Sequence, residues 1–265
     1  MQISEGELSA LTEDMEDLHR DTLPAMKESI SEWTELNRQL RSGAERVRAT
    51  ATSRRTFLLA AGAVVGAGAL AACSKSSSLT TAGTTGSGAT PTSGAGQSLT
   101  GDLAVAALAA SLENVAVAAY QAGLDAAGAG RLSVPSAVAT FAKTAQQHHR
   151  DHAAAWNSIL TGAGKQTVTG VDMTVNTAVV QPQFAAVKDV VGLAKLALEL
   201  ENVAAATYLS GIGVITDNGA LKIAASIQPV EMQHAAILNL VLGSYPIPDS
   251  FAKTDGARST SDQIG

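Results

Sequence analysis

One unit occurs twice in this chain, and it restricts the fold more than any other feature. Slid against itself by 82 residues, the chain places His149-Arg-Asp-His152-Ala-Ala-Ala-Trp156-Asn-Ser-Ile-Leu160 over Glu231-Met-Gln-His234-Ala-Ala-Ile-Leu238-Asn-Leu-Val-Leu242. Slid by 88, it places Leu112-Glu113-Asn114-Val115 through Tyr120 over Leu200-Glu201-Asn202-Val203 through Tyr208. Each unit is a helix carrying Glu-Asn followed by a helix carrying x-x-x-His. In a helix, Glu231 and His234 at i and i+3 project to one side and can reach a common centre.

Residue usage sharpens this reading. Beyond Cys73 the chain has four glutamates, at 113, 199, 201 and 231, and four histidines, at 148, 149, 152 and 234. Three of each fall at the repeated positions, although surface helices normally scatter glutamate freely. The surroundings are apolar, as in Leu112-Glu113-Asn114-Val115-Ala116, where an unpaired carboxylate is costly to bury. Carboxylate-bridged metal bundles solve this with one Glu from each of two helices and a Glu-x-x-His pair from each of the other two. The candidate metal ligands are therefore Glu113, His149, His152, Glu201, Glu231 and His234. Mixed carboxylate and imidazole donors suit iron, one ion or two, with manganese or zinc as alternatives, more than calcium or magnesium.

The competing reading is a metal-free buried network in which the same groups pair with each other, with Asn114 and Asn202, and with Tyr120 and Tyr208. His148 is expected at a partly exposed helix position, Glu199 should face away from Glu201, and the two tyrosines are expected in the core. Pro229 is expected to kink the last helix.

The arrangement resembles the ferritin-like superfamily, specifically its secreted bacterial members. The resemblance implies an all-α, four-helix bundle of two repeated helical hairpins with a long crossover. It also implies a metal-binding protein that oxidises iron or handles peroxide. His149, standing where the family would have Glu, departs from the pattern and leaves three carboxylates to balance any two dications. A non-enzymatic scaffold in the cell envelope is the alternative function.

Aromatic residues make up only 3% of the chain, which favours closely packed alanine-rich helices over a sheet. Residues 101–245 should be the bundle: helix A about Asp102–Ala127, helix B from a Ser133 cap to before Gly162, a non-helical stretch over 165–183, helix C about Phe184–Ile215, and helix D from Asp217-Asn-Gly219 to Gly243. Residues 246–265 read as a loose tail.

The first hundred residues read differently. Residues 1–52 form a charged amphipathic helical leader, with Leu8, Leu11, Met15, Leu18, then Met26, Ile30, Trp33, Leu36 and Leu40 at three- and four-residue steps. It is expected to be solvated. A partner-binding hairpin, and translation starts at Met15 or Met26, remain alternatives. Over 53–73, Arg54-Arg55 followed by Phe57-Leu58 and an apolar run resembles a twin-arginine signal, and Leu70-Ala-Ala-Cys73 resembles a lipobox. These imply the twin-arginine export machinery as partner, a lipid on Cys73 and a membrane-anchored location outside the cytoplasm; an uncleaved anchor ending in a free cysteine is the alternative. Residues 74–100, almost all Ser, Thr, Gly, Ala and Pro, read as a flexible tether spanning roughly 30 Å. The net charge of −6 offers no nucleic-acid surface, and self-association is left open.

Overall fold

The computed structural model describes residues 3–61 and 99–260. Cys73, residues 62–72 of the expected signal and residues 74–98 of the tether lie outside them. The helices are α1 (Glu5–Ala61), α2 (Asp102–Gly128), α3 (Ser136–Gly162), α4 (Met173–Val175), α5 (Gln181–Ala186), α6 (Val190–Ile212) and α7 (Asn218–Leu242), with a π turn (Asn176–Val180) between α4 and α5. No strand occurs among the described residues. One compact unit comprises Met1–Asn37 with Ser93–Gly265, and a second comprises Arg38–Thr92, helical as far as Ala61.

In the first unit α2 packs along α3 and α6 along α7, and α2 also meets α6. Caps define the second pair: Asp189 accepts from the Gly192 amide at 2.8 Å, Asp217 accepts from the Ala220 amide at 2.9 Å, and Gly243 closes α7 at φ 80°. The Asp102 carboxylate, at the start of α2, accepts from the Thr216 amide at 3.0 Å and the Asp217 amide at 2.8 Å, tying the α6–α7 turn to α2. α7 runs on through Pro229 as one helix. Although α2 is long and apolar enough to cross a membrane, most of its apolar stretch is buried inside this unit.

Three boundaries differ from expectation. Helix B starts at Ser136 with Pro135 in the cap position and no side-chain cap, because proline's fixed φ already suits the entry; Ser133 lies outside. Helix C starts at Val190, since Asp189 supplies its cap and Val187 is extended. The stretch expected to be non-helical holds α4, the π turn and the start of α5. There Asp172 accepts from the Val175 amide at 2.9 Å, and Val175 and Val180 are buried against Leu108, Leu112, Leu196 and Leu200. Tertiary burial here outweighs the weak helix propensity of Val and Thr. Asn114 reaches this crossover, donating to the carbonyls of Val168 and Gly170, and not the Glu/His group.

Over residues 3–36 the leader is not solvated on one side, although Leu18 and Leu36 are exposed. Leu8, Thr12, Met15, His19, Met26, Ser29 and Trp33 are buried, a stripe at helical spacing along one side of α1. Met26 and Trp33 join Trp156, Ile159, Leu160, Ile223 and Ile227 in one apolar cluster, while Leu8 and Met15 join Phe141, Val138, Leu238 and Val241 in another. Burial of each such large side chain is worth about 1.5–3 kcal/mol, so α1 is a fifth helix of the domain as far as Asn37. The tail also returns to the bundle: the Arg258 amide donates to Thr207 Oγ1 at 2.8 Å, and Asn239 donates to the Pro246 carbonyl at 3.2 Å.

Candidate metal centre

Every one of the five long helices is layered in the same way. On α3 an apolar stretch (Val138, Phe141, Ala145) is followed by His148, His149 and His152 and then by Ala155, Trp156, Ile159 and Leu160. On α7, Ile223 and Ile227 precede Glu231 and His234, and Ile237, Leu238 and Val241 follow. Glu113 and Glu201 lie between the same two clusters on α2 and α6. A polar band therefore crosses the middle of the domain, sealed at both ends by hydrocarbon.

All six candidate ligands meet in that band. Glu113, His149, His152 and Glu231 bring ligand atoms within 4.8 Å of one another, and so do His149, Glu201, Glu231 and His234. The two groups share His149 and Glu231. All six side chains are at most 2% exposed. His149 Nδ1 lies 2.7 Å from Glu113 Oε2 and its Nε2 lies 3.2 Å from Glu201 Oε1. His234 Nδ1 lies 3.2 Å from Glu201 Oε2. His152 Nδ1 and Glu231 Oε1 approach to 2.9 Å but out of hydrogen-bond alignment. Both nitrogens of His152 and both carboxyl oxygens of Glu231 are left without a hydrogen-bond partner.

The tyrosines do more than fill the core. Tyr120 on α2 donates to Glu201 on α6 at 2.5 Å, and Tyr208 on α6 donates to Glu113 on α2. Trp156 Nε1 donates in turn to the Tyr208 hydroxyl at 2.7 Å. Each tyrosine thus orients the glutamate of the opposite helix, leaving the other carboxylate oxygen facing inward. Glu199 turns away, as expected, and pairs with Gln183; Asn202 is exposed.

Charge in the band is set by mutual pairing. Burial would raise Glu113, but the imidazoles of His152 and His149 outweigh it and hold its carboxyl at about 2. Glu201 is likewise held well below the usual range by His149 and His234 against the effect of burial. Burial would lower His152, but Glu113 and Glu231 raise it to about 9. His149 is held well above the ordinary histidine value and His234 is also raised, by Glu201 and Glu231 against burial. Tyr120 and Tyr208 are pushed up by burial and by their carboxylate partners, so both remain hydroxyl donors.

A second layer of side chains lies outside the six. His148 is fully buried, not partly exposed as expected: its Nδ1 lies 3.0 Å from His234 Nε2 and its Nε2 lies 3.1 Å from Glu16 Oε2 on α1. His19 of α1 stacks on His148 with ring centroids 3.8 Å apart and lies 3.5 Å from Asp151. Burial and the neighbouring His152 hold His19 down at about 4, so it sits there neutral. Sequence reasoning missed Glu16 and His19 because it set the leader apart from the bundle. The signal was present, since Glu16-Asp-Leu-His19 has the same i, i+3 spacing as Glu231-Met-Gln-His234.

The family model described as a ferritin-like domain matches residues 101–244, more than half of the chain. This chain belongs to the ferritin-like family. Comparison with curated proteins and with solved structures gave no match. The ferritin-like region covers α2 to α7 and holds all six clustered Glu and His side chains; α1, with Glu16 and His19, lies ahead of it. The buried Glu/His group is of a kind compatible with metal binding.

Proposed function

We propose that this ferritin-like domain binds one or two transition-metal ions, redox-active iron first, with manganese or the redox-inert zinc as alternatives. The observation that carries the proposal is the Glu231 carboxylate and the His152 imidazole, both fully buried with no hydrogen bond made by any of their four polar side-chain atoms. Although the two face each other at 2.9 Å, leaving a buried polar group without an aligned hydrogen bond costs about 1–3 kcal/mol. The donor set fits a metal: Glu113, His149, His152 and Glu231 on one side, and His149, Glu201, Glu231 and His234 on the other. Bound iron would supply a one-electron change between ferrous and ferric states, which suits iron oxidation or peroxide handling.

The chain's own residues do the rest. Tyr120 and Tyr208 hold Glu201 and Glu113 in orientation, the apolar clusters above and below exclude bulk water, and the raised imidazoles give up protons as the site fills. Export is a later step in this reading: Arg54-Arg55 with its apolar run would direct the folded, loaded chain outward, cleavage ahead of Cys73 would release α1, Cys73 would carry the lipid, and residues 74–100 would tether the bundle to the membrane.

A second reading has its own support. Three imidazoles face three carboxyls at 2.7–3.8 Å, so the group can balance its charge with protons alone and act as a metal-free scaffold core. Elemental analysis of the purified full chain separates the two. One or two ions per chain, lost in the Glu231→Ala, His234→Ala double variant, supports the metal reading; none after reconstitution with ferrous, manganous or zinc ions refutes it.

A further inference from the structure

Glu16 and His148 form a chain of contacts that ends on His234, and neither has a place in the six-residue group. Glu16 belongs to α1, and its side chain is 38% exposed. From there the contacts run inward: Glu16 Oε2 to His148 Nε2 at 3.1 Å, His148 Nδ1 to His234 Nε2 at 3.0 Å, and His234 Nδ1 to Glu201 Oε2 at 3.2 Å. Each end of this chain is a carboxylate.

Hydrogen-bond polarity follows from donor chemistry. A carboxylate only accepts, so the hydrogen of His148 belongs on Nε2. A neutral imidazole with its hydrogen on Nε2 has a bare Nδ1, which can only accept. The contact to His234 therefore needs a hydrogen on His234 Nε2. His234 is left with Nδ1 as the atom presented to the band, 3.2 Å from Glu201 and 3.5 Å from Glu231. Arg20 lies 3.6 Å from the other oxygen of Glu16, and His19 stacks on the His148 ring, so both α1 neighbours hold the geometry.

We propose that Glu16 and His148 are positioning residues that fix His234 with its Nδ1 as the ligating atom. α1, the segment ahead of the arginine pair, is by this argument a functional part of the centre in the full-length chain, before any cleavage ahead of Cys73. The proposal rests on the metal reading for its consequence but not for its geometry.

Two measurements on the full chain test it. Long-range nitrogen–proton correlation spectra of metal-free protein with labelled histidine report which ring nitrogen carries the hydrogen. Neutral His148 bearing it on Nε2, with a hydrogen on His234 Nε2, is expected. In Glu16→Gln the amide can donate, so His148 should shift toward the Nδ1–H form. Zinc affinity, read by competition with a chromophoric chelator, should then weaken roughly tenfold to a hundredfold. Glu13→Gln removes the same charge one turn away on the exposed side of α1 and should leave affinity unchanged. A hydrogen on His148 Nδ1 in the unmodified chain, or a Glu16→Gln variant that keeps both tautomer and affinity, overturns the proposal. If the unmodified chain takes up neither zinc nor ferrous or manganous ions, the metal reading fails and the tautomer spectra alone decide this one.

Discussion

Replacing Gly219 with alanine sets two effects of opposite sign against each other, and the docking of α1 decides which wins. Gly219 is the second residue of α7. In a helix, alanine is favoured over glycine by up to about 1 kcal/mol, so without α1 the substitution should stabilise. With α1 in place, the new Cβ would lie 2.8 Å from Trp33 Cβ and 3.2 Å from the Ser29 carbonyl oxygen. Both atoms move only with the α1 backbone, and non-bonded carbons normally rest at about 3.5–4.0 Å. The third neighbour, Asp217 Oδ1 at 3.1 Å, is the α7 cap and cannot swing away without losing the Ala220 bond. Overpacking of this kind costs about 1–3 kcal/mol, which exceeds the propensity gain. Gly219→Ala should therefore lower the urea midpoint of the full chain, a net loss of up to about 2 kcal/mol in stability. Because Trp33 is one of two tryptophans, its emission should shift red as α1 lifts away. Gly128→Ala, with no atom within 4 Å of the new Cβ, serves as control and should be neutral or slightly stabilising. A Gly219→Ala chain more stable than the unmodified one, with unchanged emission, would mean that α1 does not pack as described.

Two further expectations concern the centre. In the metal-free protein the His152 imidazolium, raised to about 9, contributes stability that is complete below its unfolded value near 6.5 and is lost as pH rises through about 9. The Glu113 carboxyl, lowered to about 2, contributes stability that is present above about 4.5 and is lost as pH falls through about 2. Urea midpoints should accordingly fall between pH 7 and pH 10, and a midpoint that rises instead refutes the pairing. Trp156→Phe removes the donor to the Tyr208 hydroxyl and leaves a void at a fully buried site. A loss of about 1–3 kcal/mol is expected by calorimetry, and a change within about 0.5 kcal/mol would show that the Trp156–Tyr208–Glu113 chain carries no weight.

The six clustered side chains were legible because helical periodicity is local: i, i+3 spacing puts Glu231 beside His234 wherever the helix packs, and the scarcity of other Glu and His left few competitors. The four long bundle helices were legible for the same reason, in the Asp217 and Gly243 signals and in the apolar steps of α2, α3, α6 and α7. What pairs across helices was not. That Tyr120 reaches Glu201 and Tyr208 reaches Glu113, exchanging partners between α2 and α6, depends on how the two helices face each other, and so does the burial of His148.

The leader is the clearest case of a property that belongs to the folded molecule alone. Leu8, Met15, Met26 and Trp33 mark an apolar stripe in any reading of residues 1–52, but a stripe does not name the surface that covers it. Only the packed structure brings Gly162 and Gly219 against Trp33 and Thr34, and sets Glu16 and His19 beside His148. Short-range spacing determines which groups share a helix face. Which face meets which is decided by the burial of hydrocarbon summed over the whole unit, a sum that no single segment contains.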